Sequence, residues 1–230
     1  MQQIKVIIPA FNEQESISHV INDLPKIIDE VIVVNNNSTD NTLEVAQLAG
    51  ATVLTEKRKG YGYACLKGID YLKNQNEVPD IVVFLDGDYS DFPEELTSLV
   101  TPIQKGEFDF VLGARVAEKR EFGSMTPQQV FGNWLACLLM KILYSSNFTD
   151  LGPFRAIRWN TLMDLTMSDK TYGWTIEMQL KILRKKVSYQ EIKVNYRQRI
   201  GVSKVSGTLK GTIFAGIKII WWIFKHYFSK

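Results

Sequence analysis

Five apolar runs set the frame of this chain: residues 4–9, 30–35, 51–55, 81–85 and 109–114, separated by helical stretches near 13–28, 40–49, 60–74 and 93–104. The first, second, fourth and fifth runs are almost continuously β-branched or aliphatic, as strands buried on both faces of a sheet must be. Strand and helix in alternation predict an α/β fold with a mainly parallel, helix-covered sheet whose ligands sit beyond the carboxyl ends of its strands. Every polar motif of the first half falls at such an end: Asn12-Glu13 after the first run, Asn35 to Asp40 after the second, Asp86 to Asp91 after the fourth.

From about residue 125 the pattern becomes helical over Gln128 to Tyr144, turns at Gly152-Pro153, and returns to helix through Glu177 to Lys185. No linker, repeat or low-complexity tract divides the chain, so the second half reads as a cap on the same domain. Cys65 and Cys137 lack any metal-site or redox spacing and read as buried apolar residues. The start runs straight from Met1 into a strand, which predicts a cytoplasmic protein.

Net charge is +2, but residues 181–230 hold 12 Lys or Arg against one acid, Glu191. Trp221, Trp222, Phe224, Tyr227 and Phe228 are interleaved with the last of those lysines. Amphipathic rings and long Lys stems settle at a membrane interface, which this composition fits better than nucleic acid. The segment Leu209 to Phe228 has the length of a span but is broken by Lys218, Lys225, Gly211 and Gly216, so it reads as a helix lying on the inner face of the membrane. The division expected is therefore a catalytic domain over 1–207 and a basic aromatic interface helix over 208–230.

Val82-Val83-Phe84-Leu85 ends in Asp86-Gly87-Asp88, two carboxylates off a buried strand tip. Mn²⁺ or Mg²⁺ takes oxygen ligands and reaches a diphosphate through one or two such carboxylates. Aspartates at strand ends also cap turns, and Asn12 or Ser38 can cap a helix. Three polar tips on one sheet edge favour a shared ligand site over three separate caps.

The chain resembles family-2 glycosyltransferases of GT-A, Rossmann-like fold. Pro9-Ala10-Phe11-Asn12-Glu13, Asn35-Asn36-Asn37-Ser38-Thr39-Asp40 and Asp86-Gly87-Asp88 follow that family's order. Leu112 to Arg115, Asp150 to Arg155, Tyr172 to Glu177 and Arg199 to Lys204 look like its dolichyl-phosphate-mannose-synthase-like branch. The resemblance implies Pro9, Phe11, Asn12, Glu13 and Asn35 around the nucleoside of a UDP- or GDP-hexose, and Asp86 and Asp88 on the cation. It further implies Arg115, Arg155, Arg199, Lys204 and Glu177 toward the acceptor and its phosphate. Two positions depart from the resemblance: Asn35 stands where Asp is common in the family, leaving the base open, and Ser90 stands where a Gln is frequent in the branch, leaving water or Asp91 to complete a metal shell.

The reading that follows is transfer of a hexose, with inversion, to a polyprenyl phosphate at the membrane surface. That acceptor is already largely dianionic at neutral pH and needs no strong base. A hydroxyl acceptor would need one, with Asp91, Asp150 and Glu177 as candidates. A nucleotidyltransferase and a non-catalytic membrane-bound scaffold are more distant alternatives, the latter opposed by the intact Asp86/Asp88 pair. The apolar stripe of helix 128–144, including Phe131, Trp134 and Ile142, reads as core or as lipid contact.

Overall fold

The computed structural model describes residues 2–201 and 209–228, the side chains of 209–215 excepted. In chain order it contains β1 (Ile4–Ala10), α1 (Ile17–Asn22), β2 (Glu30–Asn35), α2 (Thr42–Leu48), β3 (Thr52–Thr55), α3 (Tyr61–Lys73), β4 (Ile81–Phe84), α4 (Leu96–Gln104), β5 (Phe110–Ala114), α5 (Pro127–Tyr144), β6 (Arg155–Arg158), α6 (Trp159–Leu165), α7 (Trp174–Arg184), β7 (Tyr189–Lys193) and α8 (Leu209–Phe228). The sheet order is β3-β2-β1-β4-β6-β5-β7. β1, β2, β3 and β4 run parallel, β6 lies antiparallel between β4 and β5, and β7 pairs parallel with β5.

Alternation along the strands builds two cores. Ile7, Val82 and Phe84 face the layer holding α3, α5, α6 and α7. Their neighbours Val6, Ile8, Ile81 and Val83 face α1, α2 and α4 on the other side. With helices on both faces, every one of these strand residues is shut away from water.

Two expectations are corrected. The second half is not a cap, because β6 and β7 belong to the main sheet. The helix expected near 13–28 is confined to Ile17–Asn22: Asn12 takes a left-handed conformation (φ 55°), a turn over Glu13–Ser16 precedes the helix, and Pro25 follows it. The final helix forms over Leu209–Phe228. It packs along α5 and α7, burying Trp222 and Ile223 in the core while Ile217, Trp221, Phe224, Tyr227 and Phe228 stay exposed. Among the described residues no helix is long and apolar enough to cross a membrane.

Candidate active site

A cleft of about 360 Å³ opens at the carboxyl ends of β1, β2 and β4, lined by Pro9, Phe11, Glu13, Asn36, Asp86, Asp88, Arg115 and Arg199 among others. Its floor is the stitching between strand tips. The Asn12 amide side chain accepts from Thr39 N (2.8 Å) and Asn12 N donates to Ser38 Oγ (3.0 Å), tying the β1 tip to the β2 tip. Glu13 N donates to Thr42 Oγ1 (2.8 Å), and Ser16 Oγ reaches across to the Gly87 carbonyl (2.7 Å). Asn12 and Asn37 take left-handed backbone (φ 55° and 64°), a conformation that Asn tolerates better than most residues.

At the β4 tip, Asp88 is buried and accepts from the backbone N (3.0 Å) and hydroxyl (2.5 Å) of Ser90. The Ser90 hydroxyl therefore orients Asp88. The other Asp88 oxygen meets Arg199 Nη1 at 3.1 Å, and the same guanidinium donates to Glu13 Oε1 at 3.0 Å. Tyr89, next in the chain, is an aromatic held at φ 62° with the Arg197 guanidinium 3.7 Å over its ring and its hydroxyl bonded to Asp23. Left-handed backbone at a bulky residue beside a polar cluster is the kind of strain that functional sites retain.

Asp86 Oδ1 is buried and has no hydrogen-bond partner among the described residues, although the residue itself is partly open to the cleft. Burial first, and the neighbouring Asp88 charge second, push its carboxyl above the ordinary range. An orphaned carboxylate oxygen beside a second carboxylate fits a hard divalent cation. No group of three or more His, Cys, Asp or Glu among the described residues is arranged to hold one alone. Asp86 and Asp88 are the carboxylates that would hold such a cation. Asp91, the other candidate ligand, is fully buried, both its carboxylate oxygens lack a hydrogen-bond partner among the described residues, and it is not among the residues lining the cleft. Its carboxyl is driven well up by burial and by the charges of Asp86 and Asp88.

Arg115 reaches the cleft from the end of β5, clamped by Asp150: Nε to Oδ2 at 2.8 Å, Nη2 to Oδ1 at 2.9 Å, and its own backbone N to Oδ2 at 3.0 Å. Arg155 does not reach it. That side chain is fully buried, donating to the carbonyls of Thr175, Leu151 and Gly152. Glu177 is equally buried, accepting from the backbone N of Ser168 and Asp169 and pairing with Lys181, so it braces the turn before α7. Asn35 lies beneath the cleft with its Oδ1 on Ser38 N (3.1 Å), and Asn36 takes the lining position. Lys204 lies outside the described residues. Sequence reasoning missed Lys59, Tyr61, Gln129 and Tyr196, all of which line the cleft. The one signal for the first two was Gly60 and Gly62 flanking the start of α3, where an added Cβ would run into the backbone of Lys170 and Asp169.

Beside the cleft lies a second, mainly apolar groove of about 700 Å³, lined by Ala117, Phe122, Met125, Val130, Phe131 and Trp134 among others. Gln129 faces the cleft and Val130, next on α5, lines the groove. Phe122 is 98% exposed, and Phe131, Trp134 and Ile142 are also exposed, so much of the α5 stripe is neither core nor covered.

The sequence profile of glycosyl transferase family 2 matches residues 5–167. An uncharacterized glycosyltransferase of Mycobacterium tuberculosis is 32% identical over 214 residues, covering 92% of this chain and 94% of that protein. Glycosyltransferase AglJ of Haloferax volcanii is 28% identical, across 84% of this chain and 63% of its own length. Among solved structures, glucosyl-3-phosphoglycerate synthase from Mycobacterium tuberculosis, in complex with Mn²⁺, UDP and glucosyl-3-phosphoglycerate, superposes with a TM-score of 0.78 at 23% identity, covering 98% of this chain and 80% of that one. At that identity the likeness concerns the fold.

Proposed function

We propose that this chain, which belongs to glycosyl transferase family 2, moves a hexose from a nucleotide-sugar to a polyprenyl phosphate at a membrane surface. The observation that carries the acceptor is the apolar groove joined to the cleft through α5. A molecule with an anionic head and a long apolar tail suits a polar cleft lined by Arg115 and Arg199 and an exposed aromatic groove lined from the same helix, with Gln129 on the one and Val130 on the other. The face of α8 that carries Trp221, Phe224, Tyr227 and Phe228 supplies further apolar surface of the kind that settles at lipid headgroups.

The candidate bases favour the same acceptor. Asp150 is committed to Arg115, Glu177 to the Ser168 and Asp169 amides, and Asp91 lies off the cleft. A hydroxyl nucleophile lacks a base among these three, whereas a phosphate dianion requires none. Arg115, rigid in its Asp150 clamp, offers a fixed positive charge at the end of β5, and Arg199 can exchange Glu13 and Asp88 for phosphate oxygens as a second one. Phe11 and Pro9 wall the side of the cleft where the base is expected, with Lys59 over the Phe11 ring (5.6 Å). Asp86 and Asp88 would hold Mn²⁺ or Mg²⁺, which would supply charge neutralisation for a departing nucleoside diphosphate. Closure of these groups around the donor orients the anomeric carbon for a single in-line displacement.

The test is an extraction assay: protein, Mn²⁺, a polyprenyl phosphate and radiolabelled UDP- or GDP-sugars, with Asp88→Asn as control. Label entering the organic phase, and absent with the variant, supports the reading. Donor consumed only with a water-soluble hydroxyl acceptor, phosphoglycerate included, defeats it.

A further inference from the structure

We infer that Asp169 is a positioning residue through which contact of α8 with a lipid surface sets the wall of the catalytic cleft. The inference rests on the membrane-surface part of the function proposed above. Asp169 is buried, and its two carboxylate oxygens serve different elements. Oδ1 accepts from the backbone N of Thr171 (2.7 Å) and Gly173 (3.0 Å), holding the loop 168–173 in shape. Oδ2 accepts from the Trp222 indole Nε1 (2.8 Å) and pairs with Lys218 Nζ (2.7 Å), both on α8; Lys218 also bonds the Thr171 hydroxyl. One carboxylate thus locks helix to loop.

The loop is a wall of the active site. Tyr172 at its crest lines the cleft and is 40% exposed. The Lys170 carbonyl accepts from Tyr63 N (3.1 Å) at the start of α3, the helix whose first residues, Tyr61 and Ala64, also line the cleft. Contact is too close for any side chain at three glycines: a Cβ at Gly60 would strike the Lys170 carbonyl, at Gly62 the Asp169 carbonyl, and at Gly173 the Trp222 indole nitrogen. So α8, the loop and the start of α3 fit as one stack, in which a shift of Trp222 meets Asp169 and Gly173 first and reaches Tyr172 along the loop and Tyr61 through the Lys170 and Asp169 backbone. On the far side of α8, Ile217, Ile220, Trp221, Phe224, Tyr227 and Phe228 are exposed, and Lys225 lies over the rings of Trp221 (4.5 Å) and Trp222 (4.8 Å). Aromatic rings with the Lys225 ammonium among them match an anionic lipid surface. A surface that holds this face of α8 therefore biases the docked arrangement of the loop on the other.

The test uses the full chain with vesicles of phosphatidylglycerol and phosphatidylcholine, which contain no acceptor. Hydrogen exchange of the amides in 168–175 is followed with and without vesicles, beside sedimentation, for the wild type, Trp222→Phe and Lys218→Gln. We expect all three proteins to sediment. Vesicles should slow exchange in this segment about tenfold in the wild type and less than twofold in the variants. The same variants should lose the vesicle-dependent rise in kcat toward a short, water-soluble polyprenyl phosphate while the donor KM stays within about twofold. Sedimentation of the wild type without slower exchange, or equal slowing in both variants, overturns the coupling alone. A wild type that does not sediment removes the surface reading beneath it.

Discussion

Replacing Asp150 tests whether Arg115 is a pre-set charge or a loose surface pair. The side chains of the two residues are 12% and 4% exposed, and three hydrogen bonds join them, two from the guanidinium and one from the Arg115 backbone. Removing one partner of a buried pair leaves the other charged and unsolvated, which costs about 3–5 kcal/mol. Asp150→Ala should therefore destabilise by about 4 kcal/mol, a large share of the roughly 5–15 kcal/mol that a domain has. Asp150→Asn keeps one acceptor and the volume, so about 2 kcal/mol is expected. With an m-value near 2 kcal/mol per M in urea, the Ala variant's midpoint falls by about 2 M and the Asn variant's by about 1 M. Burial pushes the Asp150 carboxyl up, but the Arg115 charge and hydrogen bonds outweigh it and hold the group below its ordinary value. A depressed carboxylate stabilises the fold above its unfolded pKa near 4 and loses that contribution as pH falls through the folded value. The gap between wild type and Asp150→Asn should thus be full at pH 7 and close only below about pH 4. A loss under about 1 kcal/mol in the Ala variant, the size of an exposed pair, would refute this account of Arg115.

Other outcomes follow from the same geometry. Asp88→Asn removes half of the proposed cation site and should lower kcat/KM by at least about 100-fold, with far-ultraviolet circular dichroism unchanged. Phe122→Ser with Trp134→Ser removes two exposed rings from the groove and should weaken vesicle binding about tenfold without moving the thermal midpoint, since neither ring is in the core. His226 is held down to about 4 by burial and by the charges of Arg184 and Lys181, so it is neutral in the fold and takes up a proton on unfolding below about pH 6.5. Stability should be full above pH 6.5 and fall toward pH 4 by about 1 kcal/mol, discounted for the partial exposure of the ring, and His226→Gln should flatten that slope in urea titrations.

What could be read from the residues, and what could not, divides by the range of the forces involved. β1, β2, β4 and β5 were legible because burial on both faces imposes continuous apolar runs, and the strand-tip motifs were legible because each is a local break in such a run. β6 was not: Arg155-Ala156-Ile157-Arg158 is four residues with a cation at each end. Arg155 tolerates the interior only because the carbonyls of Leu151, Gly152 and Thr175 converge on it, and those come together only in the tertiary fold. Glu177 makes the point from the other side. A carboxylate beside Tyr172 and Trp174 has one acceptor chemistry, whether it meets sugar hydroxyls or the backbone N–H groups of Ser168 and Asp169. Which donors it finds depends on how the chain before α7 turns, and that turn is set by Asp169 and by α8, some 50 residues later in the chain. Candidate site residues on strand tips can therefore be read from their own neighbourhood. Those brought by helix starts and returning loops, Tyr61, Gln129 and Tyr196, are chosen by partners that no local pattern encodes.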